Sequence, residues 1–150
     1  MESVTIRLEL PPKELNPNHT VGSTGMRMAK ATRIKAYREH ACQMAYVGVA
    51  ATSITEFGWR DAMVEVLWQN EVKGRRPDPD NALAYLKPAF DGLTDSGVLA
   101  DDRNIVFLPV QFEKVPSGQG GIQLTVTNGN LTQGELHELF SRVFGQRRSA

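Results

Sequence analysis

The chain has one cysteine, no net charge and no long apolar run, and each of these features excludes a class of protein. Cys42 has no second cysteine for an intrachain disulfide, so the chain suits a reducing compartment. No apolar stretch approaches the ~20 residues of a transmembrane helix. The first residues, MESVTIRLEL, combine an acidic second position with alternating polarity, which is not the pattern of a signal peptide. We therefore expect a soluble cytoplasmic protein.

The composition is typical of one globular domain, with 41% hydrophobic and 23% charged residues in a chain of 150. Alternating polarity predicts strands, at residues 3–10, 61–71, 104–114 and 121–127. Apolar spacing of three and four predicts helices, at about 30–50 and along Leu83, Leu86, Phe90 and Leu93. Thr132 and Glu135 form a capping box that opens a last helix to about residue 144. Residues 11–25, rich in Pro, Gly and Asn, are predicted to form a long loop. The order β–α–β–α–β–β–α predicts an α+β fold, a small mixed sheet with helices packed on it.

Charge is segregated along the chain, although the 17 basic and 17 acidic side chains cancel. Between residues 13 and 38 there are six basic residues and one acid, Glu14. Six of the seven aspartates lie between residues 75 and 104: Asp78, Asp80, Asp91, Asp95, Asp101 and Asp102. A basic region beside an acidic cluster suits a polyanionic substrate acted on by carboxylates that carry metal. On segregation alone, chance is the simpler explanation.

The aspartates form two close pairs. Pro79 favours an extended backbone at Asp78, which would place the carboxylates of Asp78 and Asp80 on one side, about 7 Å apart at Cα. Such a pair repels unless a cation lies between its members, and hard oxygen donors select Mg²⁺, Mn²⁺ or Ca²⁺. Asp101 and Asp102 can meet this pair if the intervening helix returns the chain. Any one aspartate alone is more simply a helix cap or turn residue, as Asp95 is before Gly97.

Lys87 is the single cation between Asp78 and Asp102. Asp91, four residues on, would share its helix face, and a surface ion pair of little energetic value would account for the spacing. Long helical side chains point toward the helix N-terminus, which here means toward Asp78 and Asp80. A lysine near metal-bound carboxylates can stabilise a pentacovalent phosphate or orient the attacking water.

PDPDN followed by KPAFDGLTDSGVLADDRNIV resembles the signature of the RusA family of Holliday junction resolvases. The shared elements are D-x-D-N, a lysine that begins a short helix, D-x-L, a glycine, and D-D before a strand. The match covers about residues 75–107. A weaker similarity lies in LPPKELNPNHT and KATRIKAYREHA near the N-terminus. We therefore expect a RusA-like core over residues 1–130, with 131–150 adding a C-terminal helix and basic tail to the same domain.

The resemblance implies a small α+β endonuclease that forms a two-fold dimer, requires Mg²⁺ or Mn²⁺ and cuts four-way DNA junctions by paired nicks. Such enzymes act in recombination and repair, and phages and prophages commonly encode them. By position, Asp78, Asp80 and Asp102 would bind metal and act in catalysis, with Asp101 a further candidate ligand, and Lys87 would be the catalytic lysine. The predicted DNA contacts are basic: Lys13, Arg27, Lys30, Arg33, Lys73, Arg75 and Arg76.

The chain departs from the family pattern at Lys87, which follows Asp80 by seven residues where the family has four. Three extra helical residues would rotate the lysine by about 300° and shift it ~4.5 Å along the axis. Alternatively, residues 82–84 lengthen the loop, Pro88 takes the first helical position and Lys87 becomes the N-cap. We favour the second account because it avoids a proline inside a helix.

Three other functions compete with this prediction. A D-x-D pair holds the metal of nucleotide sugars in glycosyltransferases, but 150 residues leave little room for a nucleotide-binding α/β domain. Pro77-Asp78 suggests a PD-(D/E)xK nuclease, but Glu71 and Lys73 precede it, which reverses the usual order. The non-enzymatic alternative is a junction- or single-strand-binding protein.

The aromatic residues and the zinc-type ligands bear on these alternatives. A base-stacking protein needs exposed aromatic side chains, whereas Trp59, Trp68, Phe107 and Phe112 lie in strand-like contexts where we expect core packing. A zinc site is not expected, because the cysteine and the three histidines show no ligand spacing.

Overall fold

One mixed β-sheet organises the part of the chain that the computed structural model describes, residues 1–19 and 21–145. The elements in chain order are β1 (Ser3–Leu8), α1 (Thr24–Ala50), β2 (Ala62–Glu71), α2 (Pro79–Tyr85), α3 (Lys87–Asp95), β3 (Ile105–Phe107), β4 (Gln111–Val115), β5 (Gly121–Asn128) and α4 (Gln133–Gly145). The predicted α+β class is confirmed.

The sheet has the strand order β1-β5-β2-β3, and β4 also pairs with β2. β5 runs antiparallel to both β1 and β2, whereas β3 and β4 run parallel to β2. Every second residue of β2 is buried, from Ala62 to Asn70. This alternation is what the sequence predicted, and β2 lies between β5 on one side and β3 and β4 on the other.

The two faces of the sheet are covered by different helices. On one face, Val64 and Val66 of β2 belong to the main core together with Ala41 of α1 and Phe90 of α3. On the other face, Leu139 and Val143 of α4 pack with the buried Leu108, and Met63 and Phe140 lie against them. The predicted C-terminal helix is therefore packed on the same sheet as the rest of the chain. Arg147 and Arg148, in the predicted basic tail, lie outside the described residues.

α1 begins at Thr24, about six residues before the predicted start. Ser23 caps it by accepting a hydrogen bond of 3.2 Å from the backbone N–H of Met26. The apolar pattern missed this part because the side chains of residues 24–29 are all exposed and carry no buried stripe. The predicted loop before α1 also contains a short 3₁₀ helix, Lys13–Leu15.

The predicted single strand over residues 104–114 is wrong, because the structure divides it into β3 and β4. Phe107 pairs with Val64 and Gln111 with Leu67, so three residues of this segment lie opposite two residues of β2. The extra residue is a bulge that includes Pro109, which has no N–H to donate to a sheet. The bulge also shifts the alternation by one residue. Ile105, at an odd position, faces the main core before the bulge, and Val110, at an even position, faces it afterwards.

No helix within residues 1–19 and 21–145 combines the length and apolar character needed to cross a bilayer.

Candidate active site and nucleic-acid interface

α2 and α3 are two separate short helices that meet at Leu86. Leu86 is fully buried and is the N-cap of α3, with a ψ near 2°. Lys87 is the first residue of α3 and Pro88 is the second, where its missing N–H removes no helical hydrogen bond. Our preferred account was right that a helix begins here. It was wrong that residues 82–84 are loop and that Lys87 is the N-cap.

Asp78 and Asp80 differ in backbone conformation. Asp78 is extended, with a ψ of 155°, and directly precedes α2, whereas Asp80 lies in the first turn of α2. The predicted extended pair is therefore correct for Asp78 and wrong for Asp80. The physical reason is Pro79, whose fixed φ suits the first position of a helix as well as an extended strand. Both aspartates are exposed, and Asp78 makes no side-chain capping hydrogen bond.

Lys87 joins two aspartates. Its Nζ lies 2.7 Å from Oδ1 of Asp91, one turn further along α3, and it also donates a hydrogen bond to Oδ2 of Asp102, which precedes β3. The predicted pairing of Lys87 with Asp91 is confirmed. Neither Asp78 nor Asp80 is a partner of Lys87, whose ion pairs within residues 1–19 and 21–145 are with Asp91 and Asp102, so the expected approach of Lys87 to the first aspartate pair stays a prediction.

The environment of Lys87 fixes its charge. The hydrogen bond to Asp102, followed by the one to Asp91, raises the pKa of the Lys87 ammonium above its usual value. The Lys87 side chain is 57% exposed, so both of its ion pairs are accessible to solvent and to a ligand. A lysine with a raised pKa is a permanent cation at neutral pH and a poor general base.

Asp101 is engaged in a local turn. Its Oδ1 accepts the backbone N–H of Arg103 at 2.8 Å, and Nη2 of Arg103 lies 2.7 Å from Oδ2. The hydrogen bonds from Arg103 lower the pKa of the Asp101 carboxyl. These contacts match the turn-forming role that a single aspartate was expected to have.

The three predicted metal ligands do not form a ready coordination shell. Within residues 1–19 and 21–145, no three His, Cys, Asp or Glu side chains are grouped so that they could hold a metal ion. The donor chemistry fits Mg²⁺, because the side chains of Asp78, Asp80 and Asp102 are oxygen donors that solvent reaches. Their role as ligands stays a prediction.

Three of the seven predicted DNA-binding residues lie around one cavity of about 570 Å³. Lys13, Arg75 and Arg76 line it, together with Asn81 of the D-x-D-N motif. The guanidinium carbon of Arg76 lies 4.5 Å from the ring centroid of Phe112, a cation–π contact that holds this side chain in place.

The other predicted DNA-binding residues are distributed differently. Lys73 is exposed in the turn after β2. Arg27, Lys30 and Arg33 lie on α1, where Nζ of Lys30 donates to the carbonyl oxygen of His19 at 3.4 Å. Arg33 lines a second cavity, of about 280 Å³. The basic side chains of the first half of α1 are thus separate from those around the larger cavity.

Residues that the sequence did not single out also line the larger cavity, notably Asn70 and Tyr85. Asn70 could have been found, because the alternation of β2 predicts that it faces inward. The prediction that the four aromatic residues are core residues was only partly right. Trp59 and Trp68 are buried as expected, whereas Phe112 is half-buried and Phe107 is 37% exposed, because it lies on the short edge strand β3.

Comparisons of the chain with protein-family models and with curated proteins return no match. The resemblance to the RusA resolvases therefore rests on the residues and spacings described above.

Proposed function

We propose that this protein is a Mg²⁺-dependent endonuclease that resolves four-way DNA junctions in the bacterial cytoplasm, in recombination, repair or phage DNA processing. The observation that carries the proposal is the position of Lys87. It lies at the start of α3, joined to Asp91 and Asp102, on a surface open to solvent. These are three of the residues at which the chain resembles the RusA signature.

In this proposal, Lys87 acts as a fixed positive charge at the scissile phosphate. A phosphate oxygen can replace a carboxylate oxygen as the acceptor of the lysine N–H, while Asp91 keeps the side chain oriented. Asp78, Asp80 and Asp102 would hold the cation, with Asp101 as a further candidate. The cation would supply charge neutralisation and acidity for the attacking water; Mn²⁺ can substitute for Mg²⁺.

The basic residues would hold the arms of the junction through contacts to phosphate. Such contacts position DNA without reading its sequence and weaken steeply with salt. Arg27, Lys30 and Arg33 on α1 would engage one region of the substrate, and the cations around the cavity another. A two-fold dimer would match the symmetry of the junction and provide one active site for each of two strands.

The second candidate is a junction- or single-strand-binding protein without nuclease activity. The partial exposure of Phe107 favours it, because the part of the ring that is not packed against Phe90, 4.9 Å away between centroids, can stack on a base. On this hypothesis, the ion pair between Lys87 and Asp102 only holds the start of α3 against the segment before β3.

The deciding experiment incubates the purified protein with a synthetic four-way junction and Mg²⁺, beside a linear duplex, at low and moderate salt. Asp80→Asn is the matched variant. We expect symmetric nicks in the junction alone, lost in Asp80→Asn while binding persists. Tight binding without cleavage in Mg²⁺ or Mn²⁺ would support the binding protein instead. Absence of binding would reject both candidates and favour nucleotide-sugar substrates.

A further inference from the structure

The cavity of about 570 Å³ lies between four segments of the chain. Leu10 and Lys13 follow β1, Trp68 and Asn70 belong to β2, the turn from residue 74 to 77 forms a rim, and Asn81 and Tyr85 come from α2. Its volume falls in the range of about 300–1,000 Å³ that is typical of small-molecule sites. Three kinds of group meet there: an aromatic ring, a carboxamide and cations.

The aromatic group is Tyr85, which is held against Trp68. The two rings are 5.8 Å apart at their centroids and inclined by 67°, an edge-on arrangement. Trp68 is buried in the main core, whereas Tyr85 is only half-buried. Tyr85 is therefore an aromatic side chain that lines the cavity, is partly accessible and is held in place by Trp68, and nucleobases stack on such rings.

The carboxamide is that of Asn70, which is only 4% exposed. Its Nδ2 donates one long hydrogen bond of 3.4 Å, to the carbonyl oxygen of Glu71. The side-chain oxygen accepts no hydrogen bond from the residues that the structure describes, and solvent reaches it, so a ligand in the cavity can donate to it. A buried carboxamide is stabilised by partners for both ends. The edge of a nucleobase offers a donor and an acceptor side by side.

The cations are Lys13, Arg75 and Arg76, none of which is ion-paired within residues 1–19 and 21–145. The acid of the cavity wall, Glu71, has its Oε1 engaged by the backbone N–H of Gly118 at 3.0 Å. With three cations against this one carboxylate, the lining is net positive and can bind phosphate.

We propose that this cavity binds one nucleoside monophosphate unit of a DNA strand that is unpaired at the crossover of the junction. The base would stack on Tyr85 with its edge toward Asn70, and the phosphate would lie at Lys13 and Arg75. The inference rests on the proposed function and adds the part of the substrate that is recognised. Since Pro77 lines the cavity and Asp78 follows it, a strand that places a nucleotide here would pass beside Asp78, one of the predicted metal ligands.

The first test measures binding of the four deoxynucleoside 5′-monophosphates, a nucleoside and inorganic phosphate to the full chain by titration calorimetry. We expect at least one nucleotide to bind about tenfold more tightly than phosphate or nucleoside alone, because only the nucleotide reaches both the ring and the cations. Arg75→Gln and Tyr85→Leu should each weaken it about tenfold.

Two control variants separate recognition from folding. Arg7→Gln removes an equivalent charge from the exposed side of β1, on the sheet face away from the main core and outside the cavity, and should leave nucleotide affinity unchanged. Tyr85→Phe keeps the ring and should retain the affinity that Tyr85→Leu loses. The proposal is overturned if no nucleotide binds to the wild-type protein, or if Arg75→Gln and Tyr85→Leu bind as well as wild type.

The second test distinguishes a strand from a free nucleotide. Short single strands should bind at least as tightly as the mononucleotide, since the cavity must accept chain continuing on both sides. If only mononucleotides bind, the strand assignment is overturned and the site is one for free nucleotide. Asp80→Asn should keep nucleotide binding while losing cleavage, so a wild-type protein that binds nucleotide but cuts no junction would overturn the nuclease and not the cavity.

Discussion

Gly92 of α3 lies directly against the backbone of α1 at Arg38. A β-carbon at Gly92 would lie 2.5 Å from the carbonyl oxygen of Arg38 and 2.9 Å from Cβ of Ala41. α1 makes a second close approach at Gly48, where a β-carbon would lie 2.6 Å from the carbonyl oxygen of Thr5 in β1. α1 is therefore packed on its neighbours through glycines at two points, and the position of α3, with Lys87 at its start, depends on one of them.

Gly92→Ala should lower the free energy of unfolding by about 1–3 kcal/mol, because the added methyl group can be accommodated only if α3 moves away from α1. Urea denaturation followed by circular dichroism measures the change. Gly25→Ala is the matched control, since a β-carbon at Gly25 of α1 meets nothing within 4 Å. The control should be neutral or slightly stabilising, because alanine favours helix more than glycine does. Equal stability of both variants would contradict the close packing.

Arg38 and Asp95 join the same two helices by a two-pronged ion pair, with hydrogen bonds of 2.6 and 2.8 Å. The hydrogen bonds from Arg38 lower the pKa of the Asp95 carboxyl from its ordinary value of 3.8. A carboxyl whose pKa is lower in the folded state stabilises the fold above the unfolded-state pKa, and this contribution is lost as the pH falls through the folded-state value. The loss should therefore occur below pH 3.8.

Asp95→Asn should destabilise the protein at neutral pH by about 0.2–1 kcal/mol, the range for exposed ion pairs. The difference from wild type should shrink as the pH falls below 3.8. Urea denaturation at a series of pH values checks both statements. Glu39→Gln is the control, because it removes the partner of a looser ion pair on α1, 3.9 Å from Lys35. A difference that stays constant down to strongly acidic pH would show that the charge of Asp95 has no part in the effect.

Much of the sheet could be predicted from the sequence, because alternation is a local property. β2 alternates over its whole length, since one face lies on the main core and the other is only half-covered. The division of β3 from β4 could not be predicted in this way. It depends on pairing with β2, where three residues lie opposite two, and a bulge reverses the alternation without any local sign except Pro109.

The sequence predicted which residues belong to the candidate site better than it predicted how they are arranged. The pairing of Lys87 with Asp91 follows from helical spacing, which is local. The bond from Lys87 to Asp102 spans 15 residues and depends on how α3 packs against the segment before β3. Similarly, Arg75 and Lys13 meet at one cavity only because the chain after β1 passes the end of β2.

Lys87→Met should reduce junction cleavage about 100-fold or more, because it removes a charge proposed to act at the reacting phosphate. Stability should change little, since ion pairs as exposed as those of Lys87 contribute at most about 1 kcal/mol. Lys87→Arg keeps the charge and should retain part of the activity. Single-turnover cleavage of a four-way junction, beside urea denaturation, measures both effects.

Arg142→Met is the matched control for Lys87→Met. Arg142 is also an exposed cation in an ion pair, 2.7 Å from Glu65, but it belongs to α4 on the opposite face of the sheet. The control should cleave the junction normally. If Lys87→Met instead loses stability while cleavage is unaffected, the lysine only stabilises the fold and the catalytic assignment is wrong.

Arg27 and Arg33, on the exposed first half of α1, should each contribute one phosphate contact to junction binding. Each contact releases counterions, so the slope of log affinity against log salt should become shallower by about 0.9 in Arg27→Gln and in Arg33→Gln. In the double variant the two changes should add. Fluorescence anisotropy with a labelled junction, in Ca²⁺ or in the Asp80→Asn background to prevent cleavage, measures the slope across a salt series.

Arg7→Gln, on β1, provides the comparison for this series because it removes one exposed charge from the face of the sheet opposite the main core. The slope should remain at the wild-type value in this variant. A loss of affinity with an unchanged slope in the α1 variants would mean that their charges do not contact phosphate. An equal change in Arg7→Gln would mean that binding reflects only the total charge, which is formally zero in the wild-type chain. Since the chain has no excess positive charge, strong salt dependence must come from the local arrangement of its basic side chains, and α1 is where the largest run of them lies.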